Sequence, residues 1–156
     1  DDDNDDDDDD DDDLVDIPRT ALFLPGLATF MTELNAADLL DDLSEPNGPF
    51  TVFAPTNNAF DQLPDELVMC LNRPENKRQL NDILTYHVSP GELLSPELVN
   101  GMKIRTLDGE FLSIDRNGQV VVINDDARIV NADNRASNGV IHVINKVLVP
   151  PGFDVS

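Results

Sequence analysis

The chain has 156 residues, 40% of them apolar, and sets 32 acidic side chains against 10 basic ones for a net charge of −22 at pH 7. That length supports one domain with a core of its own, and no apolar run approaches the ~20 residues of a membrane-spanning helix. Phosphate backbones are held by clustered Lys and Arg, so a balance this acidic argues against a nucleic-acid binder.

The charge is unevenly placed. Residues 1–13 carry twelve Asp and one Asn, leaving 20 of the 32 acids for residues 14–156. A segment with no apolar side chain buries nothing that offsets the entropy of ordering it, so residues 1–13 are expected to form a disordered tail. Repulsion should keep it extended, to at most ~45 Å at ~3.3–3.6 Å per residue. A solubilising, self-repelling segment is the plainest reading. Its carboxylates, Asp5, Asp6, Asp7, Asp8, Asp9 and Asp10 among them, would also gather Ca²⁺ or sit on a calcium-rich mineral surface. They lack the Gly-interrupted spacing of an EF-hand loop, so such binding would be diffuse and weak. A basic protein is the third partner that chemistry allows. The chain opens on Asp rather than Met, as a processed or trimmed product does.

Residues 14–156 read as a single domain. Leu14 to Pro18 is expected to be the tether into it. Leu27, Phe30, Met31 and Leu34 recur at i, i+3, i+4 and i+7, the stripe of an amphipathic helix. A second short helix is expected over Ala37–Leu43, burying Leu39, Leu40 and Leu43. Ser44-Glu-Pro-Asn-Gly48 is a turn cluster. The apolar run Phe50–Ala54 is a short buried strand stopped by Pro55, and Thr56 sits where a helix N-cap belongs. Three short helices follow: Asn57–Leu63, one opened by Pro64 with Asp65 and Glu66 in its first turn, and Glu75–Thr85. The last places Leu80, Ile83 and Leu84 on one face, which His87 extends.

From Gly101 the period changes to that of strands. Asp108-Gly109 and Asn117-Gly118 are two-residue hairpin signals between runs of Ile, Leu and Val. They predict a meander of Met102–Leu107, Glu110–Arg116 and Gln119–Asn124. Ala127–Asn131 and Val140–Val149 add further strands, the latter long enough for one strand or two. Helices first and strands later argue an α+β fold, with the Phe50–Ala54 strand joining the later sheet.

No Gly-x-Ser-x-Gly elbow, His-Glu-x-x-His helix, phosphate loop or dinucleotide fingerprint occurs, so no enzyme is expected. His87 and His142 are the only imidazoles. His142, among branched residues, reads as a hydrogen-bonded core histidine. Cys70, the single cysteine, follows Leu67, Val68 and Met69 and reads as an inert helix thiol. Asp125, Asp126 and Asp133, with Asn131 and Asn134, make an oxygen-rich stretch that turns also require. No Asn-x-Ser/Thr acceptor for N-glycosylation is present.

Three ordered blocks then stand out: Thr51-Val-Phe-Ala-Pro-Thr-Asn-Asn-Ala-Phe60, Asn81-Asp-Ile-Leu-Thr-Tyr-His-Val88, and Asn138 to Pro150. Together they resemble the fasciclin-type domain over residues 18–151. The resemblance implies a β-sandwich or wedge with the helices of the N-terminal half packed along one side. It further implies a non-catalytic adhesion or extracellular-matrix module, secreted or held at the cell surface, without a cofactor. Its partner would be a cell-surface receptor or a matrix protein or glycan. By resemblance, Asp82 and Ile83, then Tyr86 and His87, are the partner-binding positions. The acidic tail lies outside the family pattern, and a calcium- or mineral-associated matrix protein is the alternative it suggests.

Overall fold

The computed structural model describes residues 15–148, apart from residues 25, 41, 45–47, 63–65, 67–68, 70–72, 119 and 125. The acidic tail, Cys70, Asp125 and most of the helix expected from Pro64 therefore lie outside the described residues.

Where a tether was expected, a helix begins. α1 spans Ile17–Leu22, with the Asp16 side chain accepting the Arg19 amide and Pro18 in the first turn. Both are helix-start signals, and both stand inside the segment read as a linker. α2 spans Ala28–Ala36 with Phe30 and Leu34 buried, as the stripe predicts. Its first turn is capped from another element, by Asn57 Oδ1 accepting the Thr29 amide at 2.9 Å. Among the described residues of 37–44 there is no helix. Asp38 takes a left-handed conformation, φ 60°, which breaks the α-helical path. Leu39 and Leu43 are buried all the same.

β1 spans Phe50–Pro55. Thr56 then caps α3, Asn57–Asp61, its hydroxyl accepting the Ala59 amide at 3.2 Å. A 3₁₀ turn over Pro74–Asn76 leads into α4, Lys77–Thr85. β2, Val88–Pro90, is too short to show any alternation in the sequence. The meander appears as β3 (Lys103–Arg105), β4 (Phe111–Asn117) and β5 (Val120–Ile123). β6 runs Ala127–Ala136, five residues beyond its expected end, and β7 is one strand, Gly139–Ile144. The extra length of β6 is polar and interrupted by two register shifts, so it carries no strand pattern.

The seven strands form one sheet in the order β2-β1-β7-β6-β5-β4-β3. Among the described residues only β1 and β7 pair in parallel, Phe50 opposite Gly139 through Pro55 opposite Ile144. The two outer strands curl towards each other: the Leu107 amide donates to Val88 O at 2.8 Å, and Ser89 Oγ donates to Arg105 O at 2.7 Å. The result is a nearly closed wedge with helices against part of its outside, an α+β fold.

Two cores follow. Val52, Ala54, Ile141 and Val143 face the helices and meet Phe30, Leu34 and Leu84. Phe53 and Ile144 face the wedge interior with Tyr86, Ile104, Leu112 and Ile123. β1 and β7 are covered on both faces, which is why each reads as a near-continuous apolar run, broken by buried Thr51 in β1 and buried His142 in β7. No helix among the described residues is long and apolar enough to cross a membrane.

Candidate recognition site

The four positions singled out by resemblance sit at the end of α4, and the fold treats them differently. Asp82 is half-buried, with part of its side chain at the surface. Ile83 is 2% exposed, Tyr86 1% and His87 0%. Of the four, Asp82 alone presents surface to solvent, and the other three are enclosed.

The two buried polar side chains are satisfied internally. The Tyr86 hydroxyl accepts from Asn124 Nδ2 at 2.9 Å and lies 3.4 Å from the Phe111 carbonyl, to which it donates. Burial pushes its phenol above the ordinary value, and the carboxylates of Glu110 and Asp108 add to that against the Asn124 bond. His87 Nδ1–H donates to Ile83 O at 2.7 Å, and its Nε2 accepts the Leu148 amide at 2.8 Å. This pattern requires the neutral ring protonated on Nδ1. Its ring lies 6.2 Å from that of Phe30. Full burial lowers its pKa to about 4, against the pull of the Ile83 carbonyl.

His142 is a second framework imidazole, as the sequence suggests. Its ring stacks on Phe53 at 5.6 Å. Nε2–H donates to Leu93 O at 2.7 Å, and Nδ1 accepts the Asp133 amide at 3.1 Å. Burial lowers this pKa too, while the Leu93 carbonyl and Asp133 oppose it. Asp133 also holds the turn at residues 95–97, its two carboxylate oxygens each accepting from Ser95 at 2.6 Å. Burial acts to raise the Asp133 carboxyl, but those bonds hold it below the usual range. Asn134 Nδ2 donates to Asn131 O and Ile141 O. The described part of the oxygen-rich stretch thus shapes the β6 bulges. Among the described residues no group of three or more His, Cys, Asp or Glu is arranged to hold a metal ion.

The concave surface beside Asp82 is built from distant segments. A groove of about 180 Å³ is lined by Leu39, Asp42 and Leu43, by Asn81 and Thr85 of α4, and by Val88 and Leu107. Asp82 follows Asn81, and Asp108 follows Leu107. Leu107 is 44% exposed, and Phe111, beyond the β3–β4 turn, is 54% exposed. Partial burial raises the Asp108 carboxyl, and the negative charges of Asp82 and Glu110 raise it further. The sequence gives Asp82 but not Leu107 and Asp108, because only the closing contact between β2 and β3 brings them alongside α4.

The fasciclin domain family matches residues 25–150. The chain belongs to that family. Protein sll1483 of Synechocystis is 47% identical over 124 residues, covering 80% of this chain and 67% of its own. The transforming growth factor-beta-induced protein ig-h3 of Sus scrofa is 37% identical over 116 residues, covering 74% of this chain but 16% of its own. The fasciclin domain pair from the insect cell adhesion molecule fasciclin I superposes with a TM-score of 0.76 at 18% identity, over 86% of this chain and 51% of that one. The chain thus spans about a sixth of the length of the ig-h3 protein and about half of the fasciclin I pair.

His87 makes the fold acid-sensitive. A pKa lowered from 6.5 to about 4 means the folded ring resists protonation, so its contribution is complete above pH 6.5 and is lost as pH falls towards 4. The expected loss between pH 7 and pH 4 is about 3 kcal/mol from this ring. His142 acts in the same direction, and the raised Asp108 opposes both. Urea unfolding at the two pH values measures the difference, and equal stability would contradict the assignment of His87.

Proposed function

We propose that this fasciclin-like chain is a non-catalytic recognition module, acting in adhesion or matrix assembly at the cell surface or outside the cell. The observation that carries the reading is the division of labour around α4. Tyr86 and His87 are spent on internal hydrogen bonds, while Asp82 opens beside a groove with an apolar floor and exposed Leu107. Catalysis needs a nucleophile with a base in reach, and neither imidazole offers one: both nitrogens of each ring are bonded to backbone groups. The relation to an insect cell adhesion molecule supports the same class of role.

The Asp82→Arg, Asp108→Arg double variant tests it. A surface coated with the chain should retain cells or matrix at least about fivefold better than one coated with the variant, a loss of roughly 1 kcal/mol. Thermal unfolding of the two should be alike. Equal retention at equal fold stability would count against the reading.

The tail supports a second, compatible role. Twelve carboxylates in thirteen residues form a line of oxygen ligands, so calcium or a calcium-bearing mineral face is the partner we propose for residues 1–13. Calcium calorimetry on the full chain should give heat that disappears when residues 1–13 are removed. Identical isotherms would exclude the tail as the binding element.

A further inference from the structure

The groove beside Asp82 also says what kind of partner fits it, an inference that rests on the recognition reading. Its volume suits one long side chain, well below the ~300–1,000 Å³ of small-molecule sites. Leu39, Leu43, Val88 and Leu107 supply an apolar floor. Asp82 and Glu110 stand close enough to Asp108 for their charges to act on it, and Asp82 and Asp108 each follow a groove-lining residue in the chain. Among the described residues the ion pairs join Arg19 to Asp16, Lys77 to Asp38 and Arg135 to Glu92, so none neutralises these three carboxylates. Apolar floor and negative rim together match a side chain with an aliphatic stem and a cationic head.

We propose that the groove between α4 and the β3–β4 hairpin docks a basic segment of a partner protein, an Arg or Lys laying its stem on Leu39 and Leu107 and its charge against Asp82 and Asp108. An adjacent aliphatic residue of the same segment would cover Phe111, which stands exposed past the turn. Such a contact is read mainly by charge, so it weakens with salt.

The test is a ¹⁵N-resolved NMR titration of the full chain with the capped peptide acetyl-Leu-Arg-Leu-Arg-amide, at roughly physiological ionic strength. The tail will attract any basic peptide, and residue resolution separates the two events. Amides of Asn81, Asp82, Thr85, Leu107 and Asp108 should shift together. The D82N/D108N double variant, otherwise spectrally unchanged, should weaken that set about tenfold. The Glu counterpart peptide should leave it unmoved. The proposal fails if shifts are confined to residues 1–13, if the double variant binds equally at the groove, or if the Glu peptide or calcium chloride reproduces the same shifts. Groove binding without retention of cells or matrix would count against adhesion alone; retention without groove binding would overturn the basic-segment proposal alone.

Discussion

The parallel pairing of β1 with β7 is the contact on which the rest of the molecule depends. It joins residues 50–55 to residues 139–144, and among the described residues it is the only parallel pair. Closing so long a loop costs entropy before any contact is gained, so the junction must be strongly favoured once made. Two features make it so. Every residue of β7 is buried, and its two faces feed two different cores. At its first residue, Gly139, the backbone of β1 approaches so closely that a Cβ would lie 2.1 Å from Phe50 O. Only a residue without a side chain allows the strands to begin in register there.

Buried polar groups then fasten the periphery to that junction. Asn138, just ahead of β7, accepts the Ile17 amide on Oδ1 and donates from Nδ2 to Leu43 O, while its own carbonyl accepts the Phe50 amide. One side chain thereby positions α1 and the turn after α2. His87 joins the end of α4 to the segment leaving β7 through the Leu148 amide. His142 and Asp133 hold the 93–97 loop over the other side. An unsatisfied partner in any of these would cost on the order of 1–3 kcal/mol, so these side chains are committed to structure. The outside of α4 and the hairpin that reaches it carry none of these fastenings, which is why the proposed recognition surface is placed there.

Much of this was legible. Pro55 and Thr56 mark a strand end and a helix cap through local chemistry, and Asp108-Gly109 marks a turn because Gly109 takes a positive φ. The stripe Leu80, Ile83, Leu84 announced burial, and Ile83 is buried. Other features depend on neighbours distant in sequence. The spacing of Leu39 and Leu43 suits a helix, yet Asp38 turns left-handed and the leucines are buried from a non-helical loop. β2 is a strand only because β1 offers it an edge. α1 was hidden by its place next to the acidic run, although Asp16 and Pro18 are ordinary start signals. The groove was half legible: Asp82 stands in a recognisable block, whereas Leu107 and Asp108 join it only through the Val88–Leu107 hydrogen bond.

The most direct test of the β1–β7 junction is the unfolding free energy of Gly139→Ala, measured beside Gly101→Ala. Both glycines have positive φ, but the added Cβ at Gly101 meets open space. The control should lose about 1 kcal/mol, the cost of an unfavourable backbone conformation alone. Gly139→Ala should lose more than about 3 kcal/mol or fail to fold, because Phe50 cannot give way without breaking the pairing. Equal losses for the two variants would contradict the account.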